Sequence, residues 1–181
     1  MGARYLVVVG LWLGLAGCVA GCEPRSVVDL DGRVVDPLTA PRTALLFLSP
    51  GCPIANRYAP EVQRIASRFG DRVAFFLVYP DASAAEARAH RADYGLAALP
   101  AVRDPRHRLV ARAHVEVTPE AALFRGHTLL WRGRIDDRYL DIGRERPAPT
   151  HHDLEEALDA FVAGGALPAP SPAVGCLLAS P

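Results

Sequence analysis

The side chains best suited to covalent chemistry in this chain of 181 residues are its four cysteines, at positions 18, 22, 52 and 176. Cys52 follows an apolar run, Ala44-Leu45-Leu46-Phe47-Leu48-Ser49, and precedes Pro53. Such a run predicts a central strand covered on both faces. A proline suits the first turn of a helix, where its missing N–H is no loss. Cys52 is therefore expected at a strand-to-helix junction, where unpaired amides and a partial positive charge favour a thiolate, the nucleophilic form of sulfur. That points to disulfide exchange, or to oxidation through a sulfenic acid. Cys176 is the candidate partner. From Gly164 onward Gly, Ala, Pro and Ser dominate, which predicts a flexible tail able to bend back over Cys52. Cys22 is the rival partner. No CxxC pair occurs and the six histidines show no ligand spacing, so no metal and no cofactor is expected.

The elements that must position Cys52 can be read from pattern. Val27 to Val35 predicts two short strands around Asp31-Gly32. After Pro53, Val62, Ile65, Ala66 and Phe69 give a helical apolar face that stops at Gly70. Val73 to Tyr79 predicts a second buried strand, Ala82 to Tyr94 a surface helix, and Asp104 to Ala113 a short helix. Glu120–Phe124 and Thr128–Trp131 predict a hairpin across Arg125-Gly126-His127. Thr150-His151-His152-Asp153 fits a capping box ahead of a helix with Leu154, Ala157, Leu158, Phe161 and Val162 on its apolar face. Strand, helix, strand and helix, then a hairpin and a last helix, make an α/β fold with a central mixed sheet flanked by helices. Half of the residues are hydrophobic and the net charge is zero, with no basic stripe, so neither disorder nor nucleic-acid binding is expected.

At the N-terminus a single arginine precedes an unbroken run of apolar and glycine residues from Leu6 to Ala16. The run is shorter than the roughly 20 residues a bilayer-spanning helix needs, and has the form of a secretory signal. Its ending, Leu15-Ala16-Gly17-Cys18, resembles the lipobox of bacterial lipoproteins. The resemblance implies cleavage before Cys18, a lipid on Cys18, and attachment to a membrane on the periplasmic side of a bacterial envelope. The expected organisation is a signal peptide over 1–17, a linker over 18–26, one domain over 27–163 and the tail over 164–181. Removing the lipidated cysteine leaves three, an odd number in an oxidising compartment, so at least one thiol is free, reactive or paired with another molecule.

Gly51-Cys52-Pro53-Ile54-Ala55-Asn56-Arg57-Tyr58-Ala59-Pro60-Glu61, Thr118-Pro119-Glu120-Ala121, Trp131 to Asp137 and Val174-Gly175-Cys176 together resemble the peroxiredoxin-like branch of the redoxin (alkyl hydroperoxide reductase/thiol-specific antioxidant) superfamily. The resemblance runs from about Val27 to Cys176. It implies a thioredoxin-like fold, thiol redox chemistry, and a cis-proline at Pro119 packed against Cys52, with Thr118 and Pro119 offering backbone to a substrate. In that topology the loop from Arg132 to Pro149 hangs beside the thiol, and Arg134 is the candidate to meet a substrate there.

The departures from related families are specific. A dithiol thioredoxin has its second cysteine where this chain has Ala55, and Sco-type copper chaperones have theirs at Asn56. Peroxiredoxins have a proline at the position of Leu45, although Ser49 fits their pattern. The reading is an envelope thiol–disulfide oxidoreductase with Cys52 as nucleophile, acting on protein or small-molecule thiols and disulfides. Two alternatives stand beside it. One is a peroxidase acting on hydroperoxides, with Cys176 resolving Cys52. The other is a non-catalytic binding or metallochaperone module.

Overall fold

A computed structural model describes residues 26–179. The expected leader, Cys18 and Cys22 lie outside the described residues. The chain opens with β1 (Val27–Asp29) and β2 (Val34–Val35), antiparallel around a turn in which Gly32 takes φ +83. Strand β3 (Thr43–Phe47) leads to α1 (Pro53–Arg57) and α2 (Ala59–Phe69), then β4 (Ala74–Tyr79) and α3 (Ala84–Asp93) follow. Next come β5 (Ala101–Arg103), α4 (Arg108–Ala113), β6 (Val117–Thr118), β7 (Glu120–Arg125) and β8 (Thr128–Gly133). A small hairpin, β9 (Tyr139–Asp141) and β10 (Arg144–Glu145), precedes α5 (Asp153–Ala163) and a last strand, β11 (Cys176–Leu177).

The main sheet has the order β2-β1-β5-β4-β3-β7-β8. β3, β4 and β5 run parallel, while β1, β2, β7 and β8 join antiparallel, which gives the mixed sheet expected from the sequence. Every residue of β3 is buried because helices cover both faces. Successive side chains of a strand point to opposite faces. Ala44, Leu46 and Leu48 accordingly face the cluster that holds Cys52, α2 and α5, while Leu45 and Phe47 face the cluster under α4. The face with Cys52 is sealed by Val62, Ile65, Phe69, Leu158 and Phe161.

Two local readings are corrected. Thr150 does not cap α5: its hydroxyl and amide both donate to Asp137, and α5 begins at Asp153 with no side-chain cap. The capping box stands instead at Ser83 and Glu86, at the start of α3. The segment after Gly164 is not a loose tail. Leu167 and Val174 pack on the core, Arg134 N–H donates to Ser171 O at 3.2 Å, and β11 pairs antiparallel with β6.

Candidate active site

Cys52 ends the loop after β3 and is the residue before α1. Its amide donates to Ser49 O at 3.0 Å, and its carbonyl accepts from Asn56 N–H at 3.1 Å, so the turn is held from both sides. The sulfur does not cap the helix. Pro53 removes the first amide, and the S–H points across the sheet end to donate to Thr118 O at 3.0 Å. The Thr118–Pro119 bond is cis, at the boundary of β6 and β7.

Behind the loop lies a buried polar chain. Asn56 Nδ2 donates to Pro50 O at 3.1 Å, and Asn56 Oδ1 meets His90 Nε2 at 2.9 Å. His90 Nδ1 meets Tyr79 Oη at 2.8 Å. One assignment satisfies every group: His90 carries its proton on Nε2 and gives it to Asn56, while Tyr79 donates to Nδ1. Burial pushes the His90 pKa down and that of Tyr79 up, which keeps both neutral. Tyr79, His90 and Asn56 thus fix the Pro50–Cys52 turn. Asn56 was visible in sequence only as the absence of a cysteine. His90 sits on a helix that reads as solvent-facing, so its pattern gave no signal.

Cys176 arrives on β11, in register opposite Thr118, with Leu177 opposite Val117 and Leu178 N–H donating to Glu116 O at 3.0 Å. This sets Cys176 opposite the residue whose carbonyl accepts the Cys52 S–H, and packs it on the cluster that holds Cys52. Burial first, and then the neighbouring Cys52, push the Cys176 thiol up to about 11. Both cysteines are free in this structure. Gly175 explains how the tail approaches so closely: a Cβ there would lie 2.1 Å from Thr118 O and 2.6 Å from its carbonyl carbon.

The loop from Arg132 to Pro149 folds as the β9–β10 hairpin and lies beside Cys176 and the start of α1. Between it and α1 runs a groove of about 370 Å³, with Pro53 and Ile54 on one wall, Tyr139 and Ile142 on the other, and Cys176 among its lining residues. An ion pair, Arg57 to Glu145 at 3.2 Å, joins the two walls. Arg134, the expected substrate contact, is elsewhere. Its guanidinium is taken by Asp153 at 2.9 Å, and it lines a separate cavity against Pro168 and Ser171. Two further residues, Tyr58 and Asp136, brace the hairpin's root. Tyr58 Oη donates to Asp136 Oδ1, which also accepts Arg138 N–H at 2.9 Å, and the Tyr58 ring packs on Tyr139 with centroids 5.6 Å apart. Burial, reinforced by Asp136, holds the Tyr58 proton firmly in place.

Among the described residues, Glu61, His152 and Glu155 bring ligand-type atoms within 4.8 Å of one another. Arg64 donates to both carboxylates and Arg68 to Glu155, so the cluster is an ion-pair network between α2 and α5. No helix among the described residues is long and apolar enough to cross a membrane.

The parallel β3–β4–β5 core, the antiparallel β7–β8 pair, and a cysteine facing a cis-proline at the sheet end define a thioredoxin fold. No family model matches the chain, and no curated protein matches it. Solved structures do. An uncharacterized conserved protein from Geobacillus kaustophilus is 21% identical with a TM-score of 0.73, over 88% of this chain and 89% of that one. A hypothetical protein from Sinorhizobium meliloti is also 21% identical, with a TM-score of 0.70 over 84% and 88%. A secreted Mycobacterium tuberculosis disulfide oxidoreductase homologous to E. coli DsbE is 20% identical, with a TM-score of 0.52 over 77% and 94%.

Proposed function

We propose that this chain is a thiol–disulfide oxidoreductase of the bacterial cell envelope in which Cys52 and Cys176 cycle between dithiol and disulfide. The observation that carries the reading is the pairing of β11 with β6, which sets Cys176 opposite Thr118, the residue whose carbonyl accepts the Cys52 S–H. A neighbouring cysteine one helical turn away would normally supply the second sulfur, and Ala55 leaves that place empty of sulfur. The tail strand supplies it instead. Forming the bond removes two protons and two electrons from the pair, and a partner disulfide accepts them as two thiols. The substrates are protein or small-molecule thiols and disulfides. Thr118 and Pro119 shape the floor beneath Cys52, and the secreted neighbour from M. tuberculosis supports the same chemistry at the level of fold. The apolar run ending at Cys18 supports a lipid anchor on the periplasmic side of a membrane.

Peptide mapping under non-reducing conditions tests the pairing. Mild oxidation of the full chain should give a Cys52–Cys176 disulfide and leave Cys22 out of it. Recovery of Cys176 as a free thiol while Cys52 is oxidised would overturn the pairing. Stoichiometric consumption of a hydroperoxide through a Cys52 sulfenic acid would instead assign the chain to the thiol peroxidases.

A further inference from the structure

Two neighbouring cysteines are not equivalent towards a partner that arrives from solvent. Cys52 has no exposed surface, and its S–H is turned to Thr118 O beneath β11. Cys176 is half-buried and lines the groove between α1 and the β9–β10 hairpin. Access and the identity of the attacked sulfur govern thiol–disulfide exchange as much as intrinsic reactivity does. We infer that Cys176, not the strand-to-helix Cys52, is the sulfur that exchanges with external partners, and that Cys52 is its internal partner. This rests on the reading that the two cysteines form a redox pair.

The exchange starts from the Cys52–Cys176 disulfide. A partner thiolate entering the groove attacks Cys176 Sγ. The bond between the two protein sulfurs breaks and a partner–Cys176 mixed disulfide forms. Cys52 leaves as a thiolate, takes a proton from solvent, and resumes its bond to Thr118 O. A second thiolate of the same partner then attacks the partner's own sulfur in the mixed disulfide. The partner disulfide forms and Cys176 is released and protonated. The partner dithiol has lost two electrons and the protein pair has gained them. The reverse reaction would need a Cys176 thiolate to attack a partner disulfide. Both directions pass through the same mixed disulfide on Cys176.

The groove also states what the partner presents. Pro53, Ile54, Tyr139 and Ile142 are apolar, and Ile142 is 71% exposed, so apolar surface beside Cys176 is still uncovered. A polypeptide dithiol with an apolar residue beside its reactive cysteine would cover it.

The test compares the reduced full-length variants Cys52→Ser and Cys176→Ser with an aromatic disulfide reagent, dithiobis(nitrobenzoate). Thionitrobenzoate release gives the rate, and peptide mass locates the adduct. Cys176 in the first variant should be labelled at least about tenfold faster than Cys52 in the second, because burial controls access. Adding Gly175→Val to Cys176→Ser lifts the tail and should raise labelling of Cys52. Equal or faster labelling of Cys52 in Cys176→Ser would overturn the inference, and so would a lifted tail that leaves Cys52 unreactive. The redox-pair reading fails separately: it falls if the oxidised wild type contains no Cys52–Cys176 disulfide, whatever the order of labelling.

Discussion

Replacing Gly175 by alanine should weaken the bond between the two cysteines without touching either of them. The added Cβ would lie 2.1 Å from Thr118 O and 3.2 Å from Pro119 N. These are backbone atoms at the root of β7, next to the strand that pairs with β3, so they cannot yield. The tail must move instead. It then gives up the β11–β6 pairing and the Leu178 to Glu116 bond of 3.0 Å. A backbone hydrogen bond is worth about 0.5–1.5 kcal/mol net, so losing two weakens docking by about 1–3 kcal/mol. Since 1.4 kcal/mol is a factor of ten, the effective concentration of Cys176 at Cys52 falls by about 5- to 150-fold. The assay equilibrates the protein in dithiothreitol redox buffers, quenches with an alkylating agent, and counts the fraction bridged by mass. The equilibrium constant for the Cys52–Cys176 disulfide should fall by that factor. Gly165→Ala is the control. Its Cβ would meet only Ala160 O, at an ordinary 3.9 Å, and the constant should not change. An unchanged constant for Gly175→Ala would refute the idea that strand pairing delivers the second sulfur.

In the reduced protein Cys176 is pushed up to about 11 by burial and by Cys52. Cys52→Ser removes the second cause, so alkylation of Cys176 near pH 8 should accelerate, as followed by mass. His90 is buried and its pKa is lowered, so the unfolded chain binds its proton more tightly than the fold does. Stability should be complete above the unfolded value near 6.5 and decline as pH falls below it, and His90→Gln should flatten that part of a urea-denaturation profile. Asn56→Ala removes the bonds to Pro50 and His90 and should destabilise by about 1–3 kcal/mol in the same measurement. Metabolic labelling with a fatty acid should tag the wild type and not Cys18→Ser.

Much of this architecture was legible because burial writes a period into the sequence. The run before Cys52, the apolar face from Val62 to Phe69, and the Glu120–Trp131 hairpin all follow from which face meets the core. The site was legible to the extent that it depends on chain order: Cys52 after β3, Thr118-Pro119 before β7. Three parts left no such trace. β5 has only three residues, and Val102 alone of them belongs to the cluster under α4, too little for a pattern. The tail is held through backbone bonds and one missing Cβ, neither of which alters hydropathy. Arg134 was drawn to the thiol by its place after β8, but Asp153 at the start of α5 holds its guanidinium.

A bond between Cys52 and Cys176 would turn most of the domain into a ring. The ring would hold α1 to α5 and β4 to β10, while β3, just outside it, pairs with β4 and β7 within. Closing a loop that runs from Cys52 to Cys176 removes on the order of 5 kcal/mol of unfolded-chain entropy in the simplest account. Oxidation would therefore harden the whole fold against unfolding and the proteolysis that follows it, far from the sulfurs themselves. Linkage makes the effect mutual: each contact that stabilises the ring's interior also makes its clasp harder to open.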